Sequence, residues 1–336
     1  MTSRTILSLA AIAVMALGVS STTSQASGTR PGEADSLSIS STVFMRSGLV
    51  YIGHITLDYV SVLDPGTTQL IGRIKSGSGA CCVDLVPTAD RGYIANYKSN
   101  NVTVFDRKSG KTIATVPAGD HPSHITLTGD AEYLLIGHEA SDGLWFMDTH
   151  TNQITKKLPE GTGILCRCDN RKKIYQSQII IPYVFVIDPE TQTIAKRINV
   201  GGRPLGLAIA PDQKHLYIAN VESNELEEID TETDSVVARI PHVNTARGIA
   251  ITIDGRSAFV TNVTSSTVTV VDLGSREIVK VIPVGTMPTS IAFRNDGKYA
   301  YVSCQGSASV FVISTQTQEI VRSIIVDGNP IQVQVK

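Results

Sequence analysis

The chain has 336 residues, with 29 Lys and Arg against 31 Asp and Glu for a formal net charge of −2, and charged residues make up 18% of it. The Lys and Arg are spread along the chain, which removes the electrostatic ground for a nucleic-acid partner. Val, Ile, Thr and Ser are abundant, which favours strands over surface helices, and the length allows one large domain or two ordinary ones.

The N-terminus reads as a secretory signal. Arg4 supplies a positive start, Ile6 to Val19 an apolar core, and Ser24-Gln25-Ala26 a small-residue cleavage site. The apolar run of about 14 residues is too short to span a bilayer comfortably as a helix; an uncleaved anchor is the alternative. Residues 1–26 are therefore expected to be removed, 27–36 to be flexible, and 37–336 to form the folded unit, in the periplasm or secreted. No second run is long enough to cross a membrane, so the expected partners are proteins of that compartment.

A phrase of roughly 42 residues then repeats to the end of the chain. Each copy holds an alternating apolar strand that usually ends in Asp: Asp64, Asp106, Asp148, Asp188, Asp230 and Asp272, with Ser314 in the last. Successive separations are 42, 42, 40, 42, 42 and 42, and an apolar or aromatic residue stands thirteen positions earlier each time: Tyr51, Tyr93, Leu135, Tyr175, Tyr217, Phe259 and Tyr301. The copy beginning at Arg203 resolves into four strands, Gly206 to Ala210, Leu216 to Ala219, Glu225 to Ile229 and Val236 to Ile240, separated by turn residues. Seven copies of a four-stranded antiparallel meander predict an all-β, seven-bladed β-propeller. A linear solenoid would need capping repeats. Ring closure requires a strand from one end of the chain. Asn329 to Val335 matches the start of a further copy, and Leu37 to Phe44 is the alternative.

The phrases Tyr93-Ile94-Ala95-Asn96, Tyr217-Ile218-Ala219-Asn220 and Phe259-Val260-Thr261-Asn262 resemble the signature of the YVTN β-propeller repeats, over about residues 38 to 336. The resemblance implies fold rather than chemistry. Propellers of this kind include surface-layer-like proteins, the non-catalytic heavy subunit of quinoprotein amine dehydrogenases, propeller subunits of hydrazine synthase and haem-binding domains of nitrite reductases. It therefore implies a binding or scaffold protein, a non-catalytic subunit of a redox complex. The chain lacks Cys-x-x-Cys-His, so covalent c-type haem is not expected. Gly-x-Ser-x-Gly, P-loop and His-Glu-x-x-His patterns are absent as well.

In a repeat protein the shared positions serve packing, so departures are where function is sought. Ten residues before the Asp the copies read His54, Asn96, His138, Gln178, Asn220, Asn262 and Cys304. Eighteen residues after it they read Cys82, His124, Cys166, Gly206, Gly248, Ser290 and Gln332. Both columns are expected to converge at one mouth of the central channel. Imidazole and thiolate suit copper and zinc, so His54, Cys82, His124, His138, Cys166 and Cys304 form a candidate metal site. Disulfides among Cys81, Cys82, Cys166, Cys168 and Cys304 are the rival reading, and inert buried thiols with solvated histidines the third.

The fourth copy is two residues short. A deletion before its inner strand turns Cys166 into the blade and gives the better alternation; a deletion after it leaves Cys166 in the column. That copy also carries Arg167, Arg171, Lys172 and Lys173, read as a solvated loop or a docking contact. Ile179-Ile180-Ile181 stands where other copies have polar turns such as Lys98-Ser99, which suggests a partner surface or a loop tucked onto its neighbour. Trp145 reads as blade packing. A lyase or lactonase reading would have to rest on Asp84 and Asp169, the acids near the inner strands.

Overall fold

The computed structural model describes residues 48–85, 90–139, 142–169, 172–241 and 245–336. The expected signal, the flexible segment, the strand candidate Leu37 to Phe44 and Arg171 lie outside the described residues. Among the described residues no helix is long and apolar enough to cross a membrane.

The repeat becomes seven antiparallel sheets of four strands. Blade 5 shows the plan: an inner strand Pro204–Ile209, a second strand His215–Asn220, a third Glu225–Asp230 and an outer Ser235–Pro241. The inner strands form a ring, since that of blade 2 (Ala80–Leu85) touches that of blade 3 (Pro122–Leu127), and so on round to blade 7 (Pro288–Phe293). Blade 1 is built from both ends of the chain. Its second strand, Val50–His54, pairs antiparallel with the C-terminal Pro330–Val335, which serves as its inner strand. The C-terminal latch is thus the one used. Lys336 Nζ then reaches Asp84 Oδ1 at 3.0 Å, and Asp84 Oδ2 accepts Leu127 N–H at 2.9 Å, so one carboxylate ties blades 1, 2 and 3.

Among the described residues the core is divided. The buried apolar residues fall into seven clusters, each at a junction between adjacent blades, and the cluster with Val50, Ile52, Tyr301, Val310 and Val333 closes blade 7 on blade 1. This is why the second and third strands of blade 5 are buried along nearly their whole length while its outer strand alternates: each sheet has two faces to bury, and each face has a neighbour. The aromatic position of the second strand fills the junctions, with Tyr51, Tyr93, Tyr175 and Tyr301 at 2% exposure or less. Tyr175 Oη also donates to Asp234 Oδ1 of blade 5 at 2.6 Å.

The repeated Asp caps the turn between third and outer strands. Asp64 Oδ1 accepts Gly66 N–H at 2.8 Å and Thr67 N–H at 2.9 Å, and Asp230 does the same for Glu232 and Thr233. Such side-chain turns stabilise a reversal without using a strand hydrogen bond.

In blade 4 the inner strand is Leu165–Cys168, and Cys166 pairs with Tyr175. The aromatic partners in blades 5 and 6 face Ala208 and Ala250, two residues beyond the column of Gly206 and Gly248. The deletion therefore lies before the strand. Ile164, whose carbonyl accepts Ser177 N–H, takes the column position, and Cys166 leaves it to pack beside Tyr175 and Val186.

Candidate functional site

The two columns lie at the same end of the ring, because second strands finish where inner strands begin: Asn96 pairs with Ala80, His138 with Pro122 and His54 with Pro330. They occupy different shells, however. The second-strand column turns back into its own blade. His54 is fully buried with Nε2 2.8 Å from Ser61 Oγ, and Asn96 donates to Asn101 Oδ1 and Thr103 Oγ1, each at 2.8 Å. His138 is engaged on both sides, with Nδ1 2.9 Å from the Gly143 carbonyl and Nε2 2.5 Å from that of Ala118. Cys304 is fully buried in the junction of blades 6 and 7. These residues staple strand ends.

The inner-strand column instead bridges neighbouring inner strands. Cys82 Sγ lies 2.6 Å from the Ser123 carbonyl of blade 3, and Gln332 Oε1 accepts Val83 N–H at 2.9 Å. Gly206 is glycine for the same reason, since a Cβ there would sit 2.2 Å from the Arg247 carbonyl of blade 6. His124 is the exception, half-buried with an Nδ1 that has no partner.

The physical chemistry of these groups follows their burial. Burial pushes His54 and His124 down to about 4, against the attraction of Asp327 for the first and with Arg247 assisting for the second. The hydrogen bond with Cys81, and then burial, holds the Cys82 thiol well above the usual thiol range. Burial raises Cys166 and Cys304 to about 12. All five cysteines are unbridged. Among the described residues no three His, Cys, Asp or Glu side chains come together in a way that could hold a metal ion. Of the acids near the inner strands, Asp84 is held by Lys336, and Asp169 Oδ1 lies 2.6 Å from Arg167 Nε.

Two further columns, one position away, stand at the same mouth of the ring. The residue after the second-strand column donates its N–H to the loop before the inner strand in each of the seven blades: Ile55, Tyr97, Glu139, Ile179, Val221, Val263 and Gln305. Glu139 is the one ionisable acid or base in that set apart from the phenol of Tyr97. Inner strands begin with a bulge whose extra residue is Cys81, Ser123, Leu205, Arg247, Thr289 or Ile331 in blades 2, 3, 5, 6, 7 and 1. Arg247 is the only permanently charged one.

Arg247 belongs to blade 6, yet its charge is felt by Cys82 and His124 of blades 2 and 3 and it interacts with Glu139 of blade 3. The guanidinium is therefore within electrostatic reach of blades 2 and 3. Burial lowers its pKa, opposed by Glu139 and Cys82. Burial, and then the neighbouring Glu139 carboxylate, raises the Tyr97 pKa. Sequence reasoning missed Glu139, Tyr97 and Arg247 because it followed the His and Cys; the signal was a lone charge in an otherwise neutral column.

Beside this mouth, blade 4 sends Ile180 and Ile181 into solvent, 62% and 41% exposed, on the loop between its second and third strands. The neighbouring Arg203 donates from Nε to the Ile179 carbonyl at 3.4 Å. Of the sequence-level basic patch, Lys172 pairs with Glu190 and Lys173 with Asp234. At the other end of the ring a shallow groove of about 290 Å³ lies between blades 6 and 7, lined by Thr252, Asp254, Asp296 and Gln316 among others.

No family model matches the chain. It is 26% identical over 187 residues to Antigen Lp49 of Leptospira interrogans, a match covering 54% of this chain and 32% of that relative, so the chain spans about a third of it. Among solved structures it resembles Kuenenia stuttgartiensis hydrazine synthase, with a TM-score of 0.68 and 19% identity over 77% of this chain and 90% of that one. A Desulfotomaculum acetoxidans protein of unknown function gives 0.74 and 14% over 86% and 99%. The dihydro-haem d1 dehydrogenase NirN gives 0.66 and 18% over 89% and 66%. At these identities the structural likeness establishes the seven-bladed β-propeller fold.

Proposed function

We propose that the chain is a binding and scaffolding propeller of the YVTN-repeat kind, acting outside the cytoplasm as a non-catalytic subunit of a redox assembly for nitrogen compounds. The observation that carries the reading is the exposed Ile180-Ile181 pair on the channel-mouth face, where other blades place polar turns. Apolar side chains held in water beside an otherwise regular ring suit a surface that a partner covers. The likeness to hydrazine synthase and to NirN supports the redox setting, and the N-terminal Arg4 to Ala26 segment supports export.

Purification of the chain from its native cells at natural abundance tests this. A subunit carrying a redox centre should co-elute, and Ile180→Ser with Ile181→Ser should release it while leaving the melting temperature unchanged. A chain that runs alone, or a partner retained by the double variant, would overturn the proposal.

A further inference from the structure

We infer that the mouth of the central channel is a binding site for a small organic carboxylate, with the anionic group on the Arg247 guanidinium and the apolar body against Ile55, Tyr97, Val221 and Val263. The inference stands apart from the docking of a protein partner, since it concerns the axis and not the blade 4 loop.

Arg247 is half-buried and makes no hydrogen bond or ion pair among the described residues. A guanidinium carries five donors in a planar fork, and withdrawing it from water without a partner is unfavourable. Elsewhere in this protein partly buried arginines are satisfied: Arg294 meets Asp296 at 2.5 Å, and Arg167 meets Asp169. Arg247 therefore differs from its own kind within the same molecule.

Its nearest acid does not complete it. Glu139 interacts with it only through space, and its carboxylate acts also on the Tyr97 hydroxyl. The opposite wall adds no competing cation, because the half-buried His124 is neutral at physiological pH. The group that matches an open planar fork is a planar oxyanion bound through two parallel hydrogen bonds.

The remainder of the mouth selects among oxyanions. Ile55 packs against the cluster of Cys81, Cys82 and Tyr97, and Val221 and Val263 are partly exposed at the matching places in blades 5 and 6. A rim of this kind stabilises a hydrocarbon body and gives nothing to a fully hydrated inorganic anion. Asp120, partly exposed and near enough to Tyr97 to act on its hydroxyl, adds to Glu139 and disfavours a second negative charge on the ligand. A monocarboxylate is the class that fits.

Calorimetry and thermal melting with butyrate at constant ionic strength, alongside butyramide and nitrate, provide the test. Butyrate should give a saturable rise in melting temperature, and the neutral amide and nitrate should give little. Arg247→Met, checked by circular dichroism for its fold, should weaken butyrate binding at least tenfold. Glu139→Gln, which removes the acid and keeps the arginine, should tighten it. Equal responses to butyrate and butyramide, nitrate binding as tightly as butyrate, or butyrate affinity unchanged in Arg247→Met or not improved in Glu139→Gln would each overturn the assignment.

Discussion

Blades 4 and 5 stand side by side in the ring and depart from the repeat in opposite ways. Blade 5 keeps its full length and takes charge inside. Glu227, at a position that is Thr103 in blade 2 and Thr269 in blade 6, is fully buried, and it is met by Arg239, which also contacts Glu225 at 3.1 Å and the Val200 carbonyl at 3.2 Å. Glu228, 7% exposed, is met by Arg276 at 3.3 Å. Blade 4 loses two residues and puts apolar side chains outside, with Ile180 and Ile181 in solvent. Each buried departure has its partner, as burial of charge demands. The exposed pair has none among the described residues. The contrast also shows what the ring does not give up: blade 4 absorbs its deletion in the glycine-bearing linker Gly161-Thr162-Gly163 and keeps its inner strand in register.

The largest effect should come from removing an inner strand altogether. Deletion of residues 330–336 takes away the inner strand of blade 1, the buried Val333 and the Lys336–Asp84 ion pair. Melting followed by circular dichroism should fall by about 10 °C or more; an unchanged melt would show that closure does not depend on this strand.

Acid should next expose the buried histidines. In the folded chain His54 and His124 titrate at about 4, against 6.5 for a free imidazole. The unfolded chain therefore binds protons first, so stability is complete above about pH 6.5 and is lost as pH falls toward 4. Each histidine contributes at most about 3 kcal/mol. His54→Asn, the residue that blades 2, 5 and 6 carry at that place, should remove its share of the decline in denaturant midpoints across this window. An undiminished decline would place the titration elsewhere.

Blade 5 should give a smaller effect of opposite sign. Burial, opposed by Arg239, raises Glu227 from 4.5 to about 7. The folded chain holds this proton longer than the unfolded one, so its contribution is full below about pH 4.5 and is lost as pH rises to 7. Glu227→Thr should flatten that part of the stability profile by about 2 kcal/mol, with Arg239 keeping Glu225 and the Val200 carbonyl. The smallest change should follow Ile180→Ser with Ile181→Ser, which should stay within about 0.5 kcal/mol of the parent in urea unfolding. A larger loss would make the loop part of the blade packing and remove the contrast between the two blades.

The sequence by itself determined the number of blades and the Asp-capped turns; it narrowed the closing strand and the side of the blade 4 deletion to two choices each, and the pairing of Val50–His54 with Pro330–Val335 and of Cys166 with Tyr175 decided between them. The first two are local or periodic properties: turn chemistry is written in neighbouring residues, and a fixed period needs only counting. Tertiary structure decided which columns meet. A bulge at the start of the inner strands changes the parity of the residues beside it, so His54 and His138 turn into their own blades and Cys82 toward its neighbour, while the charge of Arg247 reaches blades 2 and 3. Arg247 and Glu139 are brought together because blades 3 and 6 face each other once the ring is closed. No pattern along the chain encodes that distance, since it depends on seven junctions packing at once.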